Sequence, residues 1–190
     1  MEILKFNLKG SHAFFKVPEV NTYYYFTYGN IHKVALLGML GAIMGYKGYQ
    51  MEDKDYPEFY KKLQYLNVSI VPEQKQGYFQ KKIQVFNNSV GYASKEAGGN
   101  LIVKEQWLEN PEWTIYIQIK DEESRELAER IMARKCTYMP YLGKNDHMAD
   151  ISGMCIVSGE ENFPKNETAD SLVPEEAVQF DWDEMTYRYE

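Results

Sequence analysis

Few residues in this chain could move a proton near neutral pH. His12, His32 and His147 are its only imidazoles. A histidine can act as general base on a ribose hydroxyl in metal-free RNA cleavage, and Tyr23 to Tyr25 with Lys33 are the residues that would assist it. No spacing holds any two of the histidines together, so structural or surface roles for all three are favoured. Cys136 and Cys155 are too few and too far apart for a zinc site or a disulfide framework. Two free thiols fit a reducing cytoplasm. No Walker loop, dinucleotide fingerprint or nucleophile elbow occurs. The sequence therefore indicates no catalytic residue, no metal and no cofactor.

Binding chemistry is better represented. Sixteen tyrosines offer faces on which bases can stack, each stack contributing ~1–3 kcal/mol. The net charge of −7 argues against a nucleic-acid binder, but its distribution does not. Residues 1–105 hold 13 lysines against 9 acids, whereas residues 158–190 hold 10 acids and 2 bases. The asymmetry suggests a basic working face and an acidic segment that is either solvated or meets a basic partner.

These residues must be positioned by identifiable elements. Glu2 to Leu8 alternates as a half-buried strand. Thr22 to Tyr28 is almost wholly aromatic and is expected to be a strand. Val34 to Gly45 is entirely apolar or small; at twelve residues it is too short to span a bilayer and reads as a buried helix. Asn30 is the expected N-cap and Gly45 the expected C-cap. Gly38, Gly41 and Gly45 fall on one helix face; each interior glycine costs about 1 kcal/mol relative to alanine, and a helix that carries that cost is expected to let another backbone approach closely. Free amides and Lys33 at the helix start would suit a phosphate; a core helix with a solvated lysine is the plainer alternative.

Further along, a short helix is expected over Tyr56 to Leu63 and strands over Tyr65 to Val71, Gln80 to Phe86, Leu101 to Leu108 and Trp113 to Ile119. Asn87 to Asn100 reads as the tip of a hairpin. Asp121 to Lys135 is an amphipathic helix with Leu127, Ala128, Ile131 and Met132 on its apolar face. Ile151 to Val157 is the last core strand. With the hairpin set aside, the order is βαββαβ, the ferredoxin-like α+β plan that RNA-recognition modules also use. The expected division is a domain over 1–157, with the inserted hairpin at about 74–112, and an acidic segment over 158–190.

Four pieces of sequence carry a resemblance. They are Phe6-x-Leu8-x-Gly10 with Ala13-x-Phe15; the aromatic run leading into Leu36 to Gly45; Val103 to Leu108 with Asn110-Pro111; and Pro140 to Lys144. In this order they resemble the CRISPR-associated Cas family five, over about residues 3–157. The resemblance implies a RAMP-superfamily fold in which the inserted hairpin is the thumb. It also implies a longer natural chain that continues beyond residue 190. It implies a structural subunit of the type I surveillance complex, Cascade, most like type I-B, that holds the 5′ handle of the CRISPR RNA. The implied partners are the CRISPR RNA, the backbone and large subunits, and target DNA through the complex, in the cytoplasm and without a membrane. The RNA-binding candidates are Lys16, Tyr23, His32, Lys33, Lys81, Lys82, Lys104 and Lys144, which the expected fold should gather on one face. One branch of the family, in type I-C, cuts the CRISPR RNA with a tyrosine, lysine and strand-borne histidine. Here His32-Lys33 lies at a helix start and strands 80–86 and 101–108 hold no histidine, so a non-catalytic binder is expected, with a metal-independent endonuclease as the alternative.

Overall fold

Leu4, Phe6 and Leu8 alternate with Ile3, Lys5 and Asn7, and this period of two makes strand β1, Glu2–Lys9, with its apolar side fully buried. The computed structural model of the protein describes residues 1–19, 23–49, 55–92, 95–160 and 170–174. Strand β1 lies inside a four-stranded sheet with β3 (Val68–Pro72), β6 (Glu112–Gln118) and β7 (Asp150–Ser158). Its order is β3-β6-β1-β7, and every neighbouring pair is antiparallel. Helix α1 (Lys33–Met44) joins β1 to β3, and α3 (Glu122–Met132) joins β6 to β7. Each connection therefore links two parallel strands with a third strand between them. Leu36, Leu40 and Ile43 of α1 and Leu127 and Ile131 of α3 share one core with Leu4, Phe6, Leu8, Trp113, Ile115 and Ile117.

Helix α1 begins one residue before the expected span. Its N-cap is His32, not Asn30: His32 Nδ1 accepts a hydrogen bond from the Ala35 amide at 3.3 Å. Asn30 is engaged elsewhere, donating to the Gly77 carbonyl and accepting from the Trp113 indole. Gly45 ends the helix as expected, at φ 84, with its amide donating to Ala42 and the Tyr46 amide to Gly41. Two glycines of the stripe, Gly38 and Gly41, face the short helix α2, Glu58–Leu63, whereas Gly45 faces Thr137. A side-chain carbon on Gly41 would collide with Phe59 Cβ, while one on Gly38 would meet only the tip of the Phe59 ring, at 3.8 Å.

Helix α3 stops at Met132, before the expected Lys135, because Arg134 adopts a left-handed backbone at φ 53. Met132 is exposed, so the buried face is Leu127, Ala128 and Ile131 with Ser124. The expected aromatic strand is not regular. Residues 23–28 make two isolated bridges, Lys16 with Thr27 and Tyr25 with Glu105, and Thr22 lies outside the described residues. A run of consecutive aromatics has no alternation with which to bury one side only, and here the backbone threads between residues 15–17 and the hairpin. The hairpin itself is β4 (Lys81–Asn87) with β5 (Ile102–Glu109), and its sheet gains a third member, β2 (His12–Ala13), absent from the sequence expectation. Most of the acidic segment 158–190, and residues 93–94 of the hairpin tip, lie outside the described residues.

The two glycines should respond oppositely to one methyl group. Gly38→Ala should raise the unfolding free energy by up to about 1 kcal/mol through helix propensity. Gly41→Ala should lower it by ~1–3 kcal/mol through overpacking against Phe59. Urea unfolding of the two variants checks this; equal effects would show that the stripe is not where α2 sits.

Candidate nucleic-acid interface

Hairpin β4–β5 pairs Lys82 with Trp107, Gln84 with Glu105 and Phe86 with Val103, so these six side chains share one face. The opposite face carries Lys81, Ile83, Val85, Ile102, Lys104 and Gln106. The two faces have different surroundings.

The first face closes on the loop between α3 and β7. Glu105 is only 6% exposed, and its carboxylate accepts from the Trp107 indole at 2.7 Å and from Lys144 Nζ at 2.8 Å. The Lys144 ammonium sits over the rings of Phe86 and Trp107, at 4.5 and 5.5 Å. Lys82 also faces this side, beside Trp107 and 3.7 Å from Glu109. The loop is held down by Leu142, which is fully buried, and by Gly143 at φ 82, where any side chain would collide with the Phe14 carbonyl. Behind the indole, His147 makes an edge contact with Trp107 at 4.5 Å, and His12 lies 5.9 Å from His147.

The fold therefore brings together two histidines that no spacing connects. They do not form a usable acid–base pair. Both ring nitrogens of His147 are sealed from solvent and have no hydrogen-bond partner among the described residues. Burial, then the neighbouring His12 and Lys144, push its pKa down to about 4. His12 is also held below its ordinary value, first by burial and then by Lys82. At neutral pH these are uncharged packing groups around an indole.

The second face is covered where Leu108, opposite Lys81, is fully buried, and open from Ile83 to the hairpin tip. Ile83, Val85 and Ile102 are each about half exposed. Lys104 Nζ lies 5.3 Å from the Tyr24 ring, and Lys16 Nζ lies 4.2 Å from the Tyr25 ring. The Tyr25 backbone holds this arrangement by donating to the Lys104 carbonyl and accepting from the Gln106 amide, both at 2.9 Å. Tyr23 is 83% exposed. Among the described residues, Lys16, Lys33, Lys81 and Lys104 form no ion pair.

The eight binding candidates thus divide. Lys81 and Lys104 share the second hairpin face, with Tyr23 on the aromatic segment beside it and Lys16 bridged to that segment at Thr27. Lys82 and Lys144 lie on the closed face with carboxylate partners. Lys33 is exposed at the start of α1, outside the hairpin sheet, and His32 is occupied as the cap of that helix, with its pKa lowered by burial. Sequence reasoning missed Glu105 and Trp107, which decide which lysines are engaged. Their signal was the alternation of β5, where an acid and an indole two residues apart must face the same way.

Among the described residues no group of three or more metal-ligating side chains forms, and no helix is long and apolar enough to cross a membrane. The sequence matches no protein-family model and no curated protein. Solved structures do match. A chain of a CRISPR RNA-guided surveillance complex aligns with TM-score 0.56 at 14% identity, over 77% of this chain and 60% of that one. A Cas protein aligns with TM-score 0.48 at 14% identity, over 75% of this chain and 57% of its own. A CRISPR-associated protein aligns with TM-score 0.42 at 12% identity, over 80% and 66%. The chain spans less than two thirds of the length of the first of these, and with it shares a mixed fold of antiparallel sheets and helices.

Two variants should separate engaged from open lysines. Lys144→Met leaves the buried Glu105 carboxylate with the Trp107 indole but no counter-charge and should destabilise by ~3–5 kcal/mol, whereas Lys104→Met should stay within ~0.5 kcal/mol of wild type. Chemical denaturation reads both, and equal losses would place Glu105 in solvent. His147 should also shape the acid limb. Its folded pKa of about 4 lies below the ordinary 6.5, so the unfolded chain binds the extra proton between those values. Stability is complete above pH 6.5 and falls as pH drops toward 4. Glu105, Asp146, His12 and Lys144 titrate or carry charge nearby, so the readout is a difference: His147→Met should flatten the midpoint-against-pH curve in that window, and an unchanged slope would show that the ring is hydrated.

Proposed function

We propose that this chain is a non-catalytic, RNA-binding subunit of a CRISPR surveillance complex of the Cascade kind, related to Cas family five and most like its type I-B branch. In this reading the four-stranded sheet and its two crossover helices are a ferredoxin-like RAMP fold, and the β4–β5 hairpin is the thumb that meets the 5′ handle of the CRISPR RNA. The sheet order β3-β6-β1-β7 is the one a βαββαβ chain makes when each helix crosses over one intervening strand. The fold shared with a surveillance-complex chain supports the same assignment. Backbone and large subunits would be its protein partners, with target DNA reached through the complex.

The observation that carries the proposal is the open hairpin face. It combines lysine ammoniums unpaired among the described residues with tyrosine rings held at their sides by backbone hydrogen bonds. Lysines neutralise phosphates and rings stack bases, which is the pairing of groups that single-stranded RNA requires. No reaction is assigned, because the histidines that could cleave RNA are turned into the protein around Trp107 or occupied in a helix cap.

Binding of a short handle RNA should weaken as salt rises. With three lysines on phosphates the slope of log K against log salt should be about −2, at ~0.7 per contact. Lys81→Ala and Lys104→Ala should each weaken binding and make the slope shallower, and Tyr24→Ala should weaken it at all salts. In EDTA the RNA should stay intact. Lysine variants that overlay wild type would remove the RNA reading of this face, and cleavage at one fixed position would replace the binder with the endonuclease.

A further inference from the structure

A surface cavity of about 140 Å³ opens where the C-terminal ends of α1 and α3 meet β7, and no hairpin residue lines it. Ile43, Ile131, Pro140, Ala149, Ile151 and Met154 make its apolar wall. Two of these come together through an irregularity in β7. Between Cys155 and Ser152 the strand holds one residue more than β1 does between Lys5 and Asn7, and Gly153 takes φ 61. This is a bulge with glycine in the left-handed position. Residues three apart on a regular strand face opposite ways; the extra residue turns Ile151 and Met154 to the same cavity. A cavity of roughly 150 Å³ with an aliphatic lining holds a benzene ring. This one therefore has room for a single leucine, methionine or phenylalanine side chain.

The rim is cationic. Arg130, Arg134 and Lys135 border the cavity together with the exposed Cys136. Arg130 is engaged by Glu126, the Thr137 hydroxyl and the Ile43 carbonyl. Arg134 and Lys135 are exposed, and among the described residues neither forms an ion pair. Arg134 also stands where a helix end favours glycine. Its amide donates to the Ile131 carbonyl and the Lys135 amide to that of Arg130, the double closure that needs a left-handed residue, here at φ 53. A long cationic side chain is thus kept at a conformational cost that no ion pair among the described residues offsets.

Strand β7 adds a third element. It is an edge of the four-stranded sheet, and its outer backbone groups have no partner among the described residues. We infer that the cavity and the outer edge of β7 dock an extended, acidic segment of another protein chain. The segment adds as a strand to β7, inserts one apolar side chain beside Ile151 and Met154, and sets carboxylates on Arg134 and Lys135. A phosphate backbone would satisfy the cations but leave the apolar wall in water, and a fatty acid would leave the strand edge unpaired. The docking rests on the fold and not on the RNA reading of the hairpin.

The test pans the full chain against random peptides displayed on phage. The enriched sequences should carry an apolar residue flanked by aspartate or glutamate. A synthetic copy should protect Cys136 from N-ethylmaleimide and shift the carbon-13 methyl signal of Met154. Alanine at the apolar position should weaken it at least about tenfold, and N-methylation of alternate peptide amides should abolish binding. Arg134→Gly separates binding from stability. It should raise the melting temperature by about 2–4 °C, because glycine accepts the left-handed backbone, yet weaken the peptide severalfold. With Lys135→Gln added, the loss should reach about tenfold and shrink as salt rises. No enrichment, enriched peptides without acids, peptides that leave Cys136 reactive, N-methylated peptides that still bind, or an affinity that Arg134→Gly leaves unchanged each overturn the docking. In the peptide-free protein Cys136 should react freely. Protection there at every concentration assigns the cavity to the chain's own residues, and protection that grows with concentration assigns it to a second copy. Protection by single-stranded RNA and not by peptide assigns the cations to phosphate. Each of these three results likewise overturns the docking of another protein.

Discussion

A carboxylate buried midway along the hairpin organises the functional half of the molecule. Glu105 has almost no access to water, and an ionised group in that position is tolerated only with direct compensation. Lys144 and the Trp107 indole supply it, and each brings a structure with it. Lys144 arrives on a loop pinned by Leu142 and by the left-handed Gly143, so the ion pair ties the 138–150 loop to the hairpin. Trp107 anchors the rings of His12, His147 and Phe86. Because one face of the hairpin is consumed by this cluster, the other face is left open, and the alternation of the strands then dictates which lysines it presents.

The core was largely legible because its periods are strong. The alternation of β1, the apolar run of α1 and the acid-to-base gradient of α3 each specify an element, and the order of those elements constrains the sheet. What was misjudged has local causes. Asn30 is a better cap than histidine by intrinsic preference, but its amide is claimed by Trp113 and Gly77 from distant parts of the chain. The aromatic run 22–28 has strand propensity without alternation, so tertiary contacts reduced it to isolated bridges. Arg134 takes a positive φ that no sequence signal announced.

The candidate site was legible only in its parts. Lysine and tyrosine counts indicate a binder, but not which lysines are paired. Lys144 and Lys104 look alike in sequence; one is held by a buried acid and the other stands beside a tyrosine in solvent. That distinction depends on residues separated by about forty positions, and only the folded chain brings Glu105 to Lys144. The same applies to His12 and His147, which meet because β2 and the 138–150 loop both pack against Trp107.

The position of β1 has a consequence for how the chain is made. Residues 2–9 are synthesised before both of their partners, yet they occupy the middle of the sheet and pair with residues 112–118 on one side and 150–158 on the other. The first strand therefore leaves the ribosome with both edges unsatisfied and waits for partners more than a hundred residues away. At ordinary rates of translation that interval is on the order of ten seconds. During it, a strand carrying Leu4, Phe6 and Leu8 is exposed, and contacts this distant in sequence close slowly. The sheet can close around β1 on both sides only once β7 has emerged.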